Sequence, residues 1–254
     1  MFIFLMIIMY LLSTSNATMD SRVHFNECRL SALPRAGSSF LKSLFVVHSL
    51  MLQGMHIEDL YAADDDHISI IPSYLQRRAQ LPISLPMFSH NPEATSKLPL
   101  VYVVRPYKET FESWMAYNIK NVELLYNRNR TNAIMTFAGA LVSHLNAASA
   151  RETAPFVVTV DYLSMNCDGV FAEMLRRCSN SHFDEKEHSV SLFEVCVYVQ
   201  TNPDLTNLTM PQQMRNRRHY HELVTQEQDD LLRDYIWNHL SHPVFWQEYI
   251  ELDR

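Results

Sequence analysis

Arg35, Gly37, Ser38 and Ser39 stand together where an apolar run ends and a helical pattern begins, and that combination suits the binding of a phosphate or sulfate. The run before them is Arg29 to Leu33. After them Phe40, Leu41, Leu44, Phe45, Val47 and His48 recur at helical spacing. Strand, loop and helix therefore follow one another. A helix N-terminus presents unpaired N–H groups and a partial positive charge, to which a glycine, two hydroxyls and an arginine add donors and space. The plainer alternative is an ordinary cap, with Ser38 starting a surface helix and Arg35 solvated. Neither G-x-x-x-x-G-K-[ST] nor G-x-G-x-x-G occurs here, so nucleotide binding of the Walker or Rossmann kind is disfavoured.

Three further places carry chemistry. Leu98 to Val104 is a continuous apolar run that ends in Arg105, as a doubly buried parallel strand would, and Ser113 follows eight residues later. Phe111, Trp114, Met115 and Ile119 fit a helix packing back on that strand. Near the C-terminus, Arg215, Arg217 and Arg218 are clustered in a chain of formal charge −7. A helical run follows, with Thr225 and Gln228 placed for a capping box. His90, in Met87-Phe88-Ser89-His90-Asn91-Pro92, is a candidate base, because an imidazole titrates near neutrality. Salt-bridged, solvated or merely structural roles are the alternatives for Arg105, the arginine cluster and His90 respectively.

Pro34-Arg35-Ala36-Gly37-Ser38-Ser39-Phe40 resembles the 5′-phosphosulfate loop of sulfotransferases that use 3′-phosphoadenylyl sulfate (PAPS), a P-[KR]-x-G-[ST]-[ST]-[WF] pattern. Arg105 and Ser113 resemble that family's 3′-phosphate motif, although Arg105-Pro106 stands where Arg-Asp-Pro is usual. The late arginines resemble its basic loop, and the three motifs keep the family's order over most of the chain. The segment around His90 is similar to K-T-H-x-P, without the lysine two positions before the histidine and with a shorter stretch to Arg105. The resemblance implies that Arg35, Gly37, Ser38 and Ser39 hold the 5′-phosphate and the bridging oxygen, with Arg35 also catalytic. Phe40 would stack on adenine and Tyr162 would contact it. Arg105, Ser113, Arg217 and Arg218 would hold the 3′-phosphate, and His90 would take the acceptor's proton, with Glu58 and Asp59 as fallback bases. PAPS is then the co-substrate, no metal is implied, and the acceptor is a hydroxyl of a glycan, a peptide or a small molecule.

The elements that must position these residues are those of an α/β protein. Phe40 to Met51, Tyr117 to Ala150 with a break near Asn127 to Thr131, and Val170 to Arg177 read as helices. Phe156 to Val160 reads as a second buried strand, with Asp161 and Tyr162 at its end. Ile68 to Ile71, Ser73 to Arg78 and Leu81 to Pro86 read as a short strand, a helical turn and an extended stretch. The alternation predicts a three-layer, doubly wound parallel sheet with a P-loop-like phosphate-binding loop. A hydrophobic content of 47% without linkers or repeats suits one domain over 18–254. The pI near 5.9 argues against general nucleic-acid binding, so a bound anion must be held by local charge.

Phe2 to Leu12 is apolar and is followed by small residues at Ser15 and Ala17, so 1–17 reads as a signal peptide or a short membrane anchor. The sequons at Asn129 and Asn207 agree with the secretory pathway, in the Golgi lumen or membrane or outside the cell. Cys28, Cys167, Cys178 and Cys196 allow three full pairings, and a local Cys167 to Cys178 bridge is conceivable. Buried free thiols are the alternative. Asp64-Asp65-Asp66 reads as a solvated turn. Two other functions stay open: a sulfotransferase-like binding protein without catalysis, and a nucleotide kinase with a degenerate loop.

Overall fold

Val101, Tyr102, Val103 and Val104 are all buried, so the strand they form has to be covered on both faces. It lies inside a four-stranded sheet in which every pairing is parallel. β1 is Arg29–Ala32, β2 Met87–Ser89, β3 Leu100–Val104 and β4 Phe156–Thr159, in the spatial order β2-β1-β3-β4. The registers put Ser31 opposite both Ser89 and Tyr102, and Val104 opposite Thr159. The computed structural model describes residues 28–33, 37–52, 87–90, 92, 94–116, 120–179, 190–201 and 219–252.

Side-chain alternation sorts the sheet into two apolar layers. Cys28, Leu30, Ala32, Val101, Val103 and Val158 face α1 (Ser38–Leu52), α6 (Cys167–Cys178) and α7 (Leu192–Thr201). Leu100, Tyr102 and Val104 face the other way. That second layer is closed by α2 (Tyr107–Ala116), α3 (Lys120–Arg128), α4 (Arg130–Ser149), α8 (Tyr220–Leu223), α9 (Gln226–His239) and α10 (Pro243–Ile250). α5 (Val160–Met165) continues directly from β4. Helices thus cover both faces of a parallel sheet, which is compatible with the expected three-layer α/β arrangement.

Local chemistry explains the boundaries. The expected break near Asn127 to Thr131 falls at Asn129, whose side-chain oxygen accepts the Asn132 N–H at 2.9 Å and starts α4. Thr225 and Gln228 form the expected capping box at the head of α9. Thr159 ends β4 by accepting the Tyr162 N–H, so Tyr162 lies in a helical turn and not at the strand end itself. The segments expected at Ile68 to Ile71, Ser73 to Arg78 and Leu81 to Pro86 lie outside the described residues. So do the aspartates at 64–66, the apolar stretch of 1–17 and Asn207. Among the described residues no helix is long and apolar enough to cross a membrane.

The cysteines pair as Cys28–Cys178 and Cys167–Cys196. A Cys167–Cys178 bridge is ruled out by α6, which holds the two at opposite ends of its 12 residues, roughly 16 Å apart at 1.5 Å per residue. A disulfide needs Cα atoms within about 7 Å. None of the four is a free thiol, so the alternative of buried free thiols is also set aside. The two bridges tie α6 to the start of β1 and to α7, and are compatible with a secretory or extracellular protein. Cys28–Cys178 closes a separation of 150 residues, for which chain entropy assigns a stabilisation of about 5 kcal/mol. Cys28→Ala/Cys178→Ala should therefore lower the urea-unfolding free energy by roughly 2–5 kcal/mol. Equal stability of variant and wild type in chemical denaturation would show that this bridge does not form.

Candidate functional site

Strand order places the site. The chain goes from β1 outward to β2, then returns past β1 to β3 and on to β4, so the direction of travel reverses between β1 and β3. In open parallel sheets a crevice opens outside the carboxyl ends of the strands at such a point. Leu33 N–H bonds the Val103 carbonyl at 3.1 Å, which extends the β1/β3 pairing up to the crevice.

Gly37 enters α1 on the far side of that crevice. Its φ of +75° is one that side chains other than glycine rarely adopt, and a Cβ there would stand 3.0 Å from the Val160 side chain just beyond β4. The glycine is therefore required twice, by conformation and by close approach. It brings the head of α1 over the ends of β3 and β4. The Gly37 carbonyl accepts the Leu41 N–H, and Ser38, Ser39 and Phe40 form the first turn, all partly accessible. Phe40 also packs against the α1-side core. Arg35 lies outside the described residues.

Arg105 follows the last residue of β3. Pro106, with φ preset for a helix and no N–H to satisfy, lets α2 begin at once, and Thr110 donates its backbone N–H and its hydroxyl to the Pro106 carbonyl. Arg105 Nε is 3.3 Å from Glu109 Oε2, so the expected strand-end arginine has a carboxylate beside it. Glu109 is half exposed, and a surface ion pair of this kind is worth at most about 1 kcal/mol. Ser113 lies one helical step beyond Glu109 on the same stripe of α2 but is buried. Tyr162 is exposed in the first turn of α5, and its hydroxyl accepts from Asn166 Nδ2 at 3.2 Å.

Arg217 and Arg218 lie outside the described residues, but the chain immediately after them is fastened to α2. Tyr220 N–H donates to Glu112 Oε1 at 2.6 Å. The Tyr107 and Tyr220 hydroxyls both donate to Asp229 Oδ1, at 2.7 and 2.8 Å, while Lys108 and Arg233 approach Oδ2. Burial, then the Asp229 hydrogen bond, pushes both phenols well above the usual tyrosine range. Tyr220, with which α8 begins, is thus held on the helix that begins beside Arg105.

His90 closes the other side. It is exposed at the end of β2, edge-on to the Phe88 ring with centroids 5.2 Å apart, and its Nδ1 faces the Ala32 carbonyl at 3.4 Å. Donation from Nδ1 leaves Nε2 as the basic nitrogen. Arg151, buried, donates to the carbonyls of Pro92 and Leu98, and Arg29 donates to Ser96, so the return to β3 is pinned from two sides. Glu58 and Asp59 lie outside the described residues.

Models of known protein families give no match to this chain, and curated proteins give none either.

One neighbour of His90 and one of Phe88 were not expected from the sequence. His144 on α4 comes beside it. Burial, then the charge of His90, lowers the affinity of His144 for a proton, against a hydrogen bond to the His90 backbone that raises it. The signal in the sequence was weak, because α4 is 20 residues long and carries no partner motif. Lys42 places its ammonium 4.0 Å from the Phe88 ring centroid. It is the one charged residue in α1, which was visible in the sequence but not aimed anywhere until β2 was placed beside it.

Because His144 binds its proton more weakly when folded, the unfolded chain takes that proton up first as pH falls through about 6.5. The stability due to this group is complete above that range and is lost below it. Urea unfolding of wild type should weaken more steeply between pH 7.5 and 5 than that of His144→Gln. Identical slopes would remove His144 as the cause.

Proposed function

We propose that this chain is a PAPS-dependent sulfotransferase of the secretory pathway, which transfers a sulfuryl group to a hydroxyl of a glycan or another acceptor. The observation that carries the reading is the assembly at the β1/β3 reversal. The head of α1 lies against Val160 just beyond β4, while Arg105 follows β3 and His90 follows β2 at the carboxyl ends of parallel strands. These are an anion cradle and a base on neighbouring strand ends. The phosphate-binding loop is the stretch from Leu33 to Ser39, and the paired cysteines agree with a lumenal site.

In this reading the N–H groups and hydroxyls of Gly37, Ser38 and Ser39, with Arg35, hold the 5′-phosphate. Phe40 and Tyr162 flank the adenine, and Arg105, Ser113, Arg217 and Arg218 hold the 3′-phosphate. His90 Nε2 accepts the acceptor's proton as the acceptor oxygen bonds to sulfur. The bond from sulfur to the 5′-phosphate oxygen breaks, and 3′,5′-phosphoadenosine (PAP) leaves with the electron pair. The protein's work is alignment and stabilisation of the charge on the bridging oxygen, as in phosphoryl transfer.

Calorimetric titration should show PAP bound more tightly than AMP. Arg105→Ala should weaken PAP by roughly 1.5–3 kcal/mol, the worth of a hydrogen bond to a charged group. Equal affinity for PAP and AMP would defeat the 3′-phosphate assignment. Turnover of labelled PAPS against glycans, tyrosyl peptides and phenols tests the chemistry. His90→Ala should lower kcat by roughly 10²- to 10⁴-fold with PAP affinity intact. Arg35→Ala should lower kcat more than it lowers PAP affinity, because the bridging oxygen gains its charge in the transition state. PAP binding with no turnover on any acceptor would turn the reading toward a nucleotide-binding protein.

A further inference from the structure

Lys42 is the one charged side chain of α1, a helix otherwise made of apolar residues, hydroxyls and a buried histidine. On a helix each Cα–Cβ bond tilts toward the N-terminus, so a lysine one turn inside α1 leans back toward Gly37, Ser38 and Ser39. Its ammonium is 4.0 Å from the centroid of Phe88 in β2. Phe88 and His90 are two residues apart, and the edge of one ring meets the face of the other at 5.2 Å. Phe88 is therefore in contact with both the ammonium and the His90 ring. A helix N-terminus and an ammonium one turn behind it both carry positive character, and positive character concentrated at the strand-end rim favours an anion.

We infer that Lys42 is a catalytic residue of the sulfotransferase reaction, the cation that meets the sulfuryl oxygens between donor and acceptor. This inference rests on the sulfotransferase reading above. In that reaction the leaving oxygen lies at the α1 loop and the acceptor oxygen at His90, so the SO₃ group passes the space between them. Lys42 keeps its proton throughout. The acceptor proton goes to His90, the new bond is from acceptor oxygen to sulfur, and the broken bond leaves its electron pair on PAP. The ammonium faces the equatorial oxygens, whose charge must be balanced while neither bond to sulfur is complete. A lysine serving only to cover Phe88 would contribute packing and would leave kcat alone.

The test uses the full chain with labelled PAPS and the best acceptor from the panel, measuring kcat, KM for PAPS and PAP affinity. Lys42→Met keeps the length and the apolar stem. It should lower kcat by roughly 10²-fold, as loss of one transition-state donor does, with PAP affinity changed less than about threefold. Lys42→Arg should recover part of that loss and serves also as the second variant if the methionine protein does not fold. Wild-type kcat in Lys42→Met, or equal losses in kcat and PAP affinity, would overturn the assignment while the sulfotransferase reading stands. Wild-type protein that neither binds PAP nor turns PAPS over would overturn both.

Discussion

Because β1 pairs with β2 on one side and β3 on the other, the connections leaving the carboxyl ends of β1 and β3 must diverge, and the gap between them cannot be filled by either. Everything at the rim depends on that pairing. It sets Leu33 against Val103, aims Arg105 outward beside the gap and leaves β2 as a neighbour whose last residues look across it. The pairing itself is held by burial on both faces. Val101 and Val103 sink into one layer and Leu100, Tyr102 and Val104 into the other, so a slip of one residue would exchange the layers and expose neither set to water at any gain. Register is therefore held by how each side chain packs in its own layer, since a slip here lacks the exposure penalty that fixes a sheet with one wet face.

Asp229 performs the equivalent task for the C-terminal third. A carboxylate this deeply buried is costly unless it is hydrogen-bonded and matched by charge. Here two phenols donate to one oxygen and two cations approach the other. The four partners come from three helices: Tyr107 and Lys108 from α2, Tyr220 from α8, Arg233 from α9 itself. Such a carboxylate adds little net stability compared with an apolar residue of its size, but it accepts only one arrangement of these helices. The arrangement it accepts is the one that brings residue 219 beside the helix starting after Arg105.

What could be read from the sequence followed from patterns that are local. The buried strands at Val101 and Val158, the helix after Gly37, the break at Asn129 and the capping box at Thr225 each follow from a run, a spacing or a cap within about ten residues. Gly37 could be singled out because only four glycines occur and one followed an apolar run. The disulfides could not be read, because pairing depends on how α6 lies on the sheet and no spacing reports that. The same holds for Glu109 beside Arg105, for His144 and for the aim of Lys42, all of which are consequences of layer packing. The contact of Val160 with Gly37 is of this type too, since 123 positions separate a strand end from a glycine that only the sheet brings together.

An acidic chain that is to hold a polyanion, as proposed, has to concentrate its cations, and neighbouring parallel strand ends offer the geometry for it. Adjacent strand ends are about 4.8 Å apart. In a transfer by way of an acceptor hydroxyl, sulfur and acceptor oxygen approach to about 3–3.5 Å and the oxygen stands about 2.6–3.2 Å from its base. Sulfur and base nitrogen are then separated by roughly 6 Å, between one and two strand spacings. A base on β1 itself would crowd the donor, and one on β4 would lie on the wrong side of the α1 head. Among the neighbouring strands β2 fits both demands of the proposed transfer, and His90 follows it with Nδ1 3.4 Å from the Ala32 carbonyl. In the proposed reaction, the reversal of strand direction that opens the crevice would thus also leave β2 free to carry the base.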